Sequence, residues 1–329
     1  VSQLFFEQVF GFALRTAAIF GRMPTVQSNE IRMAFSKSTL AVATLRLVGL
    51  LPLSTARRLG ALMGAIAYRL NGRGTKITRE NLALCLPQLS TEERERMTRT
   101  SLAETGKVAT EVCVIWRNDE VPVQSYIRRI EDEELARQPL AEGKGLLILA
   151  PHLGNWEVLG LHLASLGSVT NLYQPPKLAG LDEVIRQGRQ RSGAHLVPTN
   201  AKGVAALLKN LKNNGICGIL PDQNPNDDGS GDFAPFFGHP AFTMTLVHKL
   251  IQRTGCVAVF AFAKRVEGGF ELIFRAAPEG IYSNDQQTSL AALNQGVEKL
   301  VMEAPEQYQW EYKRFKKVTQ GGERRYQGY

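Results

Sequence analysis

From Gly145 to Glu303 short apolar runs alternate with amphipathic ones, and this alternation leaves few folds open. Runs at 145–150, 168–173, 194–198, 215–221, 256–263 and 270–276 read as strands, and 155–166, 179–192, 201–213, 242–254 and 285–303 read as helices. Alternation of this kind buries apolar strands beneath helices, so the expected fold is α/β: a mainly parallel central sheet flanked by helices. Ligands of such sheets bind beyond the carboxyl ends of the strands, which sets the loop after Ala150 and the loop after Leu220 at one mouth. A chain of 329 residues that is 44% apolar can build a sizeable core. It has no internal repeat, and the expected division is a helical region over 1–70 and one α/β domain over 71–329 with a basic tail.

The region 1–70 is apolar but interrupted. Val1 to Phe20 carries Glu7 and Arg15, and Thr39 to Leu53 carries Arg46 and ends around Pro52. Neither stretch reaches the roughly 18 uncharged residues of a membrane-crossing helix, and no basic segment followed by a small-residue cleavage site marks a signal peptide. The expectation is helices lying in a membrane interface, with Arg15, Arg46, Arg57, Arg58 and Arg69 reaching toward headgroups. Core helices of a soluble protein are the alternative. Lys plus Arg exceeds Asp plus Glu by 8, which favours acidic partners without choosing among anionic lipid, nucleic acid and an acidic carrier protein.

The chemistry concentrates in Ala150-Pro151-His152-Leu153-Gly154-Asn155-Trp156-Glu157, where a strand hands over to a helix. Asn155 is the expected N-cap. With His152 in the loop and Glu157 on the first turn, the two can meet, although they could not at this spacing along one helix. A carboxylate on one ring nitrogen fixes the tautomer and leaves the other nitrogen to take a proton from a hydroxyl. First-turn amides and the helix dipole would then face an oxyanion. A hydrogen-bonded loop histidine beside a surface glutamate is the bland reading of the same spacing.

Other constellations carry less. Leu220 to Gly229 is acidic, yet no calcium-loop frame fits: counted from Asp222 the glycine position holds Asp227, and counted from Asn224 the twelfth position is Pro235. Asp222 and Gln223 are expected to point into the mouth, with Asp227 to Gly231 a mobile loop. Arg186, Arg189 and Arg191 follow Tyr173-Gln174-Pro175-Pro176-Lys177; one of them could fork onto phosphate or carboxylate, or all could be a solvated face. Phe233 to Ala241 reads as an aromatic, proline-stiffened loop. Tyr308 to Lys317 interleaves aromatics with cations, as a membrane interface or a nucleic-acid strip would, but no nucleic-acid-binding motif accompanies it. The four cysteines lack the spacing of a zinc site or disulfide framework, and the nucleophile-elbow, phosphate-loop, dinucleotide and zinc-helix motifs are absent.

An ordered set of motifs carries a resemblance: Arg79-Glu80-Asn81-Leu82 with Pro87; Gly143-Lys144-Gly145 leading to His152 and Glu157; Tyr173 with its proline pair; Arg189; Leu220-Pro221-Asp222-Gln223; Pro235-Phe236-Phe237-Gly238 with Thr243; and Trp310 to Lys316. From about Thr39 to Lys317 the chain resembles the lipid A biosynthesis late acyltransferases, within the glycerolipid acyltransferase superfamily and its His-x4-Asp/Glu signature. It departs from many members at Gln174, where they carry Arg. The resemblance implies an enzyme at the cytoplasmic face of the inner membrane. It would move an acyl chain from an acyl carrier protein thioester to a hydroxyl of a lipid A precursor. His152 would be the base and Glu157 would hold its imidazole. Asn155 and nearby amides would face the oxyanion, and Arg189, Asp222 and Gln223 would serve acceptor binding or orientation. No metal or cofactor is implied, and with no activated Ser or Cys in view the transfer is expected to be direct. Three rivals are open: an ornithine lipid or glycosylated phospholipid as acceptor, a thioesterase-like hydrolase, and a non-catalytic lipid or carrier binder.

Overall fold

A computed structural model of the chain describes residues 30–117, 121–225 and 228–328. The expectation for residues 1–29, Arg15 included, lies outside them. Helices α1 (Glu30–Val48), α2 (Leu53–Arg69), α3 (Arg73–Cys85) and α4 (Thr91–Arg117) come first. There follow β1 (Ile127–Glu131), α5 (Glu134–Ala141), β2 (Leu146–Leu149), α6 (Trp156–Leu163), β3 (Thr170–Tyr173), α7 (Asp182–Gln190), β4 (His195–Pro198), α8 (Ala201–Lys212) and β5 (Ile216–Ile219). The chain continues with β6 (Gly231–Phe236), β7 (His239–Met244), α9 (Leu246–Thr254), β8 (Val257–Val266), β9 (Gly269–Ala276) and α10 (Gln286–Glu303).

The central sheet has the order β1-β9-β8-β2-β5, parallel at every pair except β8 with β9. Beyond β5, the parallel pair β3-β4 attaches by the Ile216 amide on the Ser168 carbonyl at 2.8 Å, and the Asn171 side chain accepts from the Gly218 amide. Strand β2 is buried along its length, and its alternating side chains feed two cores. Leu146 and Ile148 join Val158 and Leu161 of α6, Ile115 of α4 and Ile185 of α7. Leu147 and Leu149 join Leu207 of α8, Val247 of α9 and Leu293 and Val297 of α10 on the opposite face.

Helices α2 and α4 approach closely because Gly60 and Gly64 lie against the backbone of Gly106 and Leu102, where a Cβ would clash. Ser90 opens α4 with a reciprocal cap: its hydroxyl accepts from the Glu93 amide and its amide donates to the Glu93 carboxylate. Among the described residues no helix is long and apolar enough to cross a membrane.

Several expectations are corrected. Arg57 does not reach outward; it lies over the Phe270 ring and bonds Glu111, Val266 O and Gly269 O. Residues 242–244 are strand, and helix begins only at Leu246. The aromatic "loop" is the antiparallel hairpin β6–β7, with Pro235 opposite Pro240 and positive φ at both Phe237 and Gly238, the pattern of a tight two-residue turn. Gly231, expected in a mobile loop, begins β6, while Asp227 lies outside the described residues. The aromatic and basic run near the C-terminus is no surface strip, since Trp310, Arg314 and Phe315 are buried. The Arg314 guanidinium is absorbed by Asn224 Oδ1, Phe242 O, Thr243 Oγ1 and Asn294 Oδ1.

Candidate active site

Strands β2 and β5 are parallel neighbours with Leu149 opposite Ile219. His152 stands three residues past the first and Asp222 three past the second, so the two chains emerge side by side. His152 Nδ1 lies 2.8 Å from Asp222 Oδ1, and the His152 amide donates to Asp222 Oδ2 at 2.9 Å. Both side chains are almost fully buried. Burial alone would raise the Asp222 carboxyl, but the adjacent imidazole and the hydrogen bonds from His152 outweigh it and hold the pKa below the ordinary carboxylate value. An ionised Asp222 only accepts, so Nδ1 carries the hydrogen and the buried Nε2, which has no partner among the described residues, presents its lone pair. Tyr308 is buried beside Asp222, and burial first, then that carboxylate's charge, keeps its phenol protonated far above the usual range.

The loop is clamped by main chain. Gln309 N donates to His152 O at 3.0 Å, Gly154 N to Gln307 O at 3.1 Å, and Asn155 N to Ala263 O at 2.9 Å. Gly154 has φ +59 and lies against the Ala263 carbonyl, so glycine is required twice over.

Glu157 does not hold the imidazole. From the first turn of α6 it faces α4 and α7, where its carboxylate accepts from Trp116 Nε1 (3.2 Å), Trp156 Nε1 (3.1 Å) and Arg189 Nε (3.0 Å to Oε2), with Arg189 Nη2 on Oε1 as well. The physical reason is charge: a buried carboxylate is held best by a guanidinium fork, and Arg189 supplies one. Arg189 also lies over the rings of Trp116 and Tyr173. The residue beside the imidazole is Trp156, edge-on at 4.9 Å.

Asn155 is the N-cap, its Oδ1 accepting from the Val158 amide at 3.2 Å. Its Nδ2 donates to Glu111 Oε2 at 3.0 Å, so the side chain is consumed by the fold and is no oxyanion donor. Gln223 is buried against Gln309, Nε2 to Oε1 at 3.3 Å. Sequence reasoning missed Glu111 and Arg265, a buried pair joined at 2.6 Å, and Tyr308 and Gln309. The signal available for Glu111 was a lone charge inside the apolar stretch Val108 to Val114, whereas Arg265 stands beside Lys264 at the end of its apolar run and gave none. No group of three potential metal ligands gathers among the described residues.

A mainly parallel sheet with a buried His–Asp pair at its carboxyl ends, one imidazole nitrogen free, is an arrangement able to take a proton from a hydroxyl. The model of the bacterial lipid A biosynthesis acyltransferases matches residues 27–317, and the chain belongs to that family; it is an acyltransferase. It is 29% identical over 307 residues to the lipid A biosynthesis lauroyltransferase of Escherichia coli, covering 92% of this chain and 99% of that protein. Its identity to the lipid A biosynthesis palmitoleoyltransferase of the same organism is also 29%, over 78% of this chain and 84% of that one. A lipid A biosynthesis acyltransferase of Haemophilus influenzae is 26% identical over 90% of this chain and 95% of that protein.

Proposed function

We propose that the chain moves a fatty acyl group from an acyl carrier protein thioester to a hydroxyl of a lipid A precursor, with His152 as general base. The observation that carries this reading is the buried His152 Nε2, unpartnered while Asp222 fixes the other nitrogen. The acceptor hydroxyl gives its proton to Nε2 as its oxygen attacks the thioester carbonyl. The tetrahedral intermediate then expels the thiolate, which takes the proton back from the imidazolium. The thioester supplies the activated acyl group, so the transfer calls for no cofactor or metal, and attack by the acceptor itself leaves no acyl-enzyme. Arg189, held by Glu157 and stacked on aromatic rings, is the candidate for orienting the acceptor's anionic groups.

The site of action in this reading is the cytoplasmic face of the inner membrane. Leu40 and Leu47 of α1, Leu50 after it, and Leu62, Ile66 and Leu70 along and after α2 are exposed, with Arg46, Arg58 and Arg69 exposed among them. Apolar side chains ringed by cations suit an anionic lipid surface, and the net charge of +8 also favours an acidic carrier protein.

The test is transfer of labelled acyl groups from acyl carrier protein to a lipid A precursor in detergent, comparing wild type with His152→Ala. Label on the lipid, lost by about a hundredfold or more in the variant, supports the reading. Label released only as free fatty acid assigns a hydrolase, and activity retained by His152→Ala removes the base.

A further inference from the structure

Glu111 lies in the C-terminal part of α4 and is fully buried. Its Oε1 accepts from Arg57 Nε of α2 and Arg265 Nε of β8, both at 2.6 Å, and its Oε2 accepts from Arg265 Nη2 at 2.8 Å and Asn155 Nδ2 at 3.0 Å. Burial would raise this carboxyl, but the charge of Arg265, then Arg57, and the hydrogen bonds outweigh it, so it is held ionised. Gathering these charges in the interior costs desolvation that apolar packing would avoid, and α2 already seats on α4 through its glycines.

What the charges add is a fixed connection to the His152 loop. Arg265 N donates to Gln307 Oε1 and Gln307 Nε2 to Arg265 O, while Gln307 O accepts from Gly154 N. The network therefore grips the loop at Gly154 through main chain and at Asn155 through Glu111. Asn155 in turn caps the helix that carries Trp156 and Glu157.

We infer that Glu111 is a positioning residue for the catalytic loop, acting through Asn155, and that Arg57 brings α2 into the same network. The inference rests on His152 as the base. A base displaced by about 1 Å costs on the order of a hundredfold in rate, so a carboxylate that fixes the Asn155 amide acts on turnover while touching neither substrate. Asn155→Ser separates this role from stability: serine retains the cap on α6 but does not reach Glu111, and both arginines keep their partner.

The experiment measures steady-state transfer by the full chain in detergent, with thermal unfolding alongside. The variants are His152→Ala, Asn155→Ser and Asn155→Asp. Asn155→Ser is expected to lower kcat by about tenfold to a hundredfold while both KM values stay within about twofold and the melting temperature is essentially kept. Asn155→Asp keeps the cap but sets two carboxylates together and is expected to lose more. A kcat for Asn155→Ser within about twofold of wild type, or a loss traced wholly to unfolding, overturns the inference. An active His152→Ala overturns the underlying reading instead, whatever the Asn155 variants do.

Discussion

Asp222 grips His152 twice, accepting from the ring Nδ1 with one oxygen and from the main-chain amide with the other, at 2.8 and 2.9 Å. The double contact makes Asp222→Asn informative. Asparagine has one acceptor oxygen, and the main-chain amide, always a donor, claims it. The NH2 group is then left against Nδ1 and selects the tautomer with hydrogen on Nε2, which is no base. The expected result is a fall in kcat of about a thousandfold or more with little change in melting temperature. A fall of less than about tenfold would remove Asp222 from the role of orienter.

Much of this site was legible, and the part that was not has a physical cause. The alternation of apolar and amphipathic runs from Gly145 onward marks the strands that place both loops at one mouth, because a short continuous apolar run such as Leu146 to Leu149, opened by Gly143 and Gly145, suits a strand buried on both faces. The partner of His152 was another matter. Local spacing favours Glu157, whereas Asp222 depends on the register of β2 with β5, a pairing across 70 residues that one sequence does not state. Strand β1 was hidden because it lies at a sheet edge and carries Arg128, Arg129 and Glu131. The β6–β7 hairpin was hidden by two prolines and by Phe237 at a position of positive φ, none of which marks a strand pair.

The Glu157–Arg189 pair should act as one unit. Arg189→Gln leaves a buried carboxylate with only indole donors, and the expected cost is about 3–5 kcal/mol in urea unfolding. Adding Glu157→Gln removes the unpaired charge, so the double variant should be more stable than Arg189→Gln alone. Because Asp222 fixes the tautomer, Glu157→Gln should also lower kcat without altering the shape of its pH profile. A changed profile would return the glutamate to the imidazole.

Helix α2 presents Leu62 and Ile66 to solvent while its other face packs on α4, and Leu47 of α1 is exposed as well. Each such side chain contributes up to about 1.5–3 kcal/mol when removed from water. Replacing all three with Gln is therefore expected to weaken co-sedimentation with anionic phospholipid vesicles by at least about tenfold while leaving thermal unfolding unchanged. Binding that survives the triple substitution would assign the lipid contact to another surface.

Glu311 gives the fold a pH dependence of unusual sign. It is 3% exposed, and burial pushes its pKa up to about 7 against the lowering pull of the neighbouring Thr105 and Gln309 side chains. A carboxyl raised in the folded state binds its proton more tightly there than in the unfolded chain. Its contribution is fully present below the ordinary value of 4.5 and is lost as pH rises through about 7. Asp222 and Glu111, whose pKa values are depressed, act in the opposite direction, but only as pH falls below the ordinary carboxylate range. Between those limits the wild-type protein should lose on the order of 3 kcal/mol relative to Glu311→Gln, which cannot ionise. Urea unfolding of both proteins at pH 5, 6, 7 and 8 checks this: the difference should grow in favour of the variant up to about pH 7 and then level off. A constant difference across the series would mean that Glu311 ionises alike in the folded and unfolded chains.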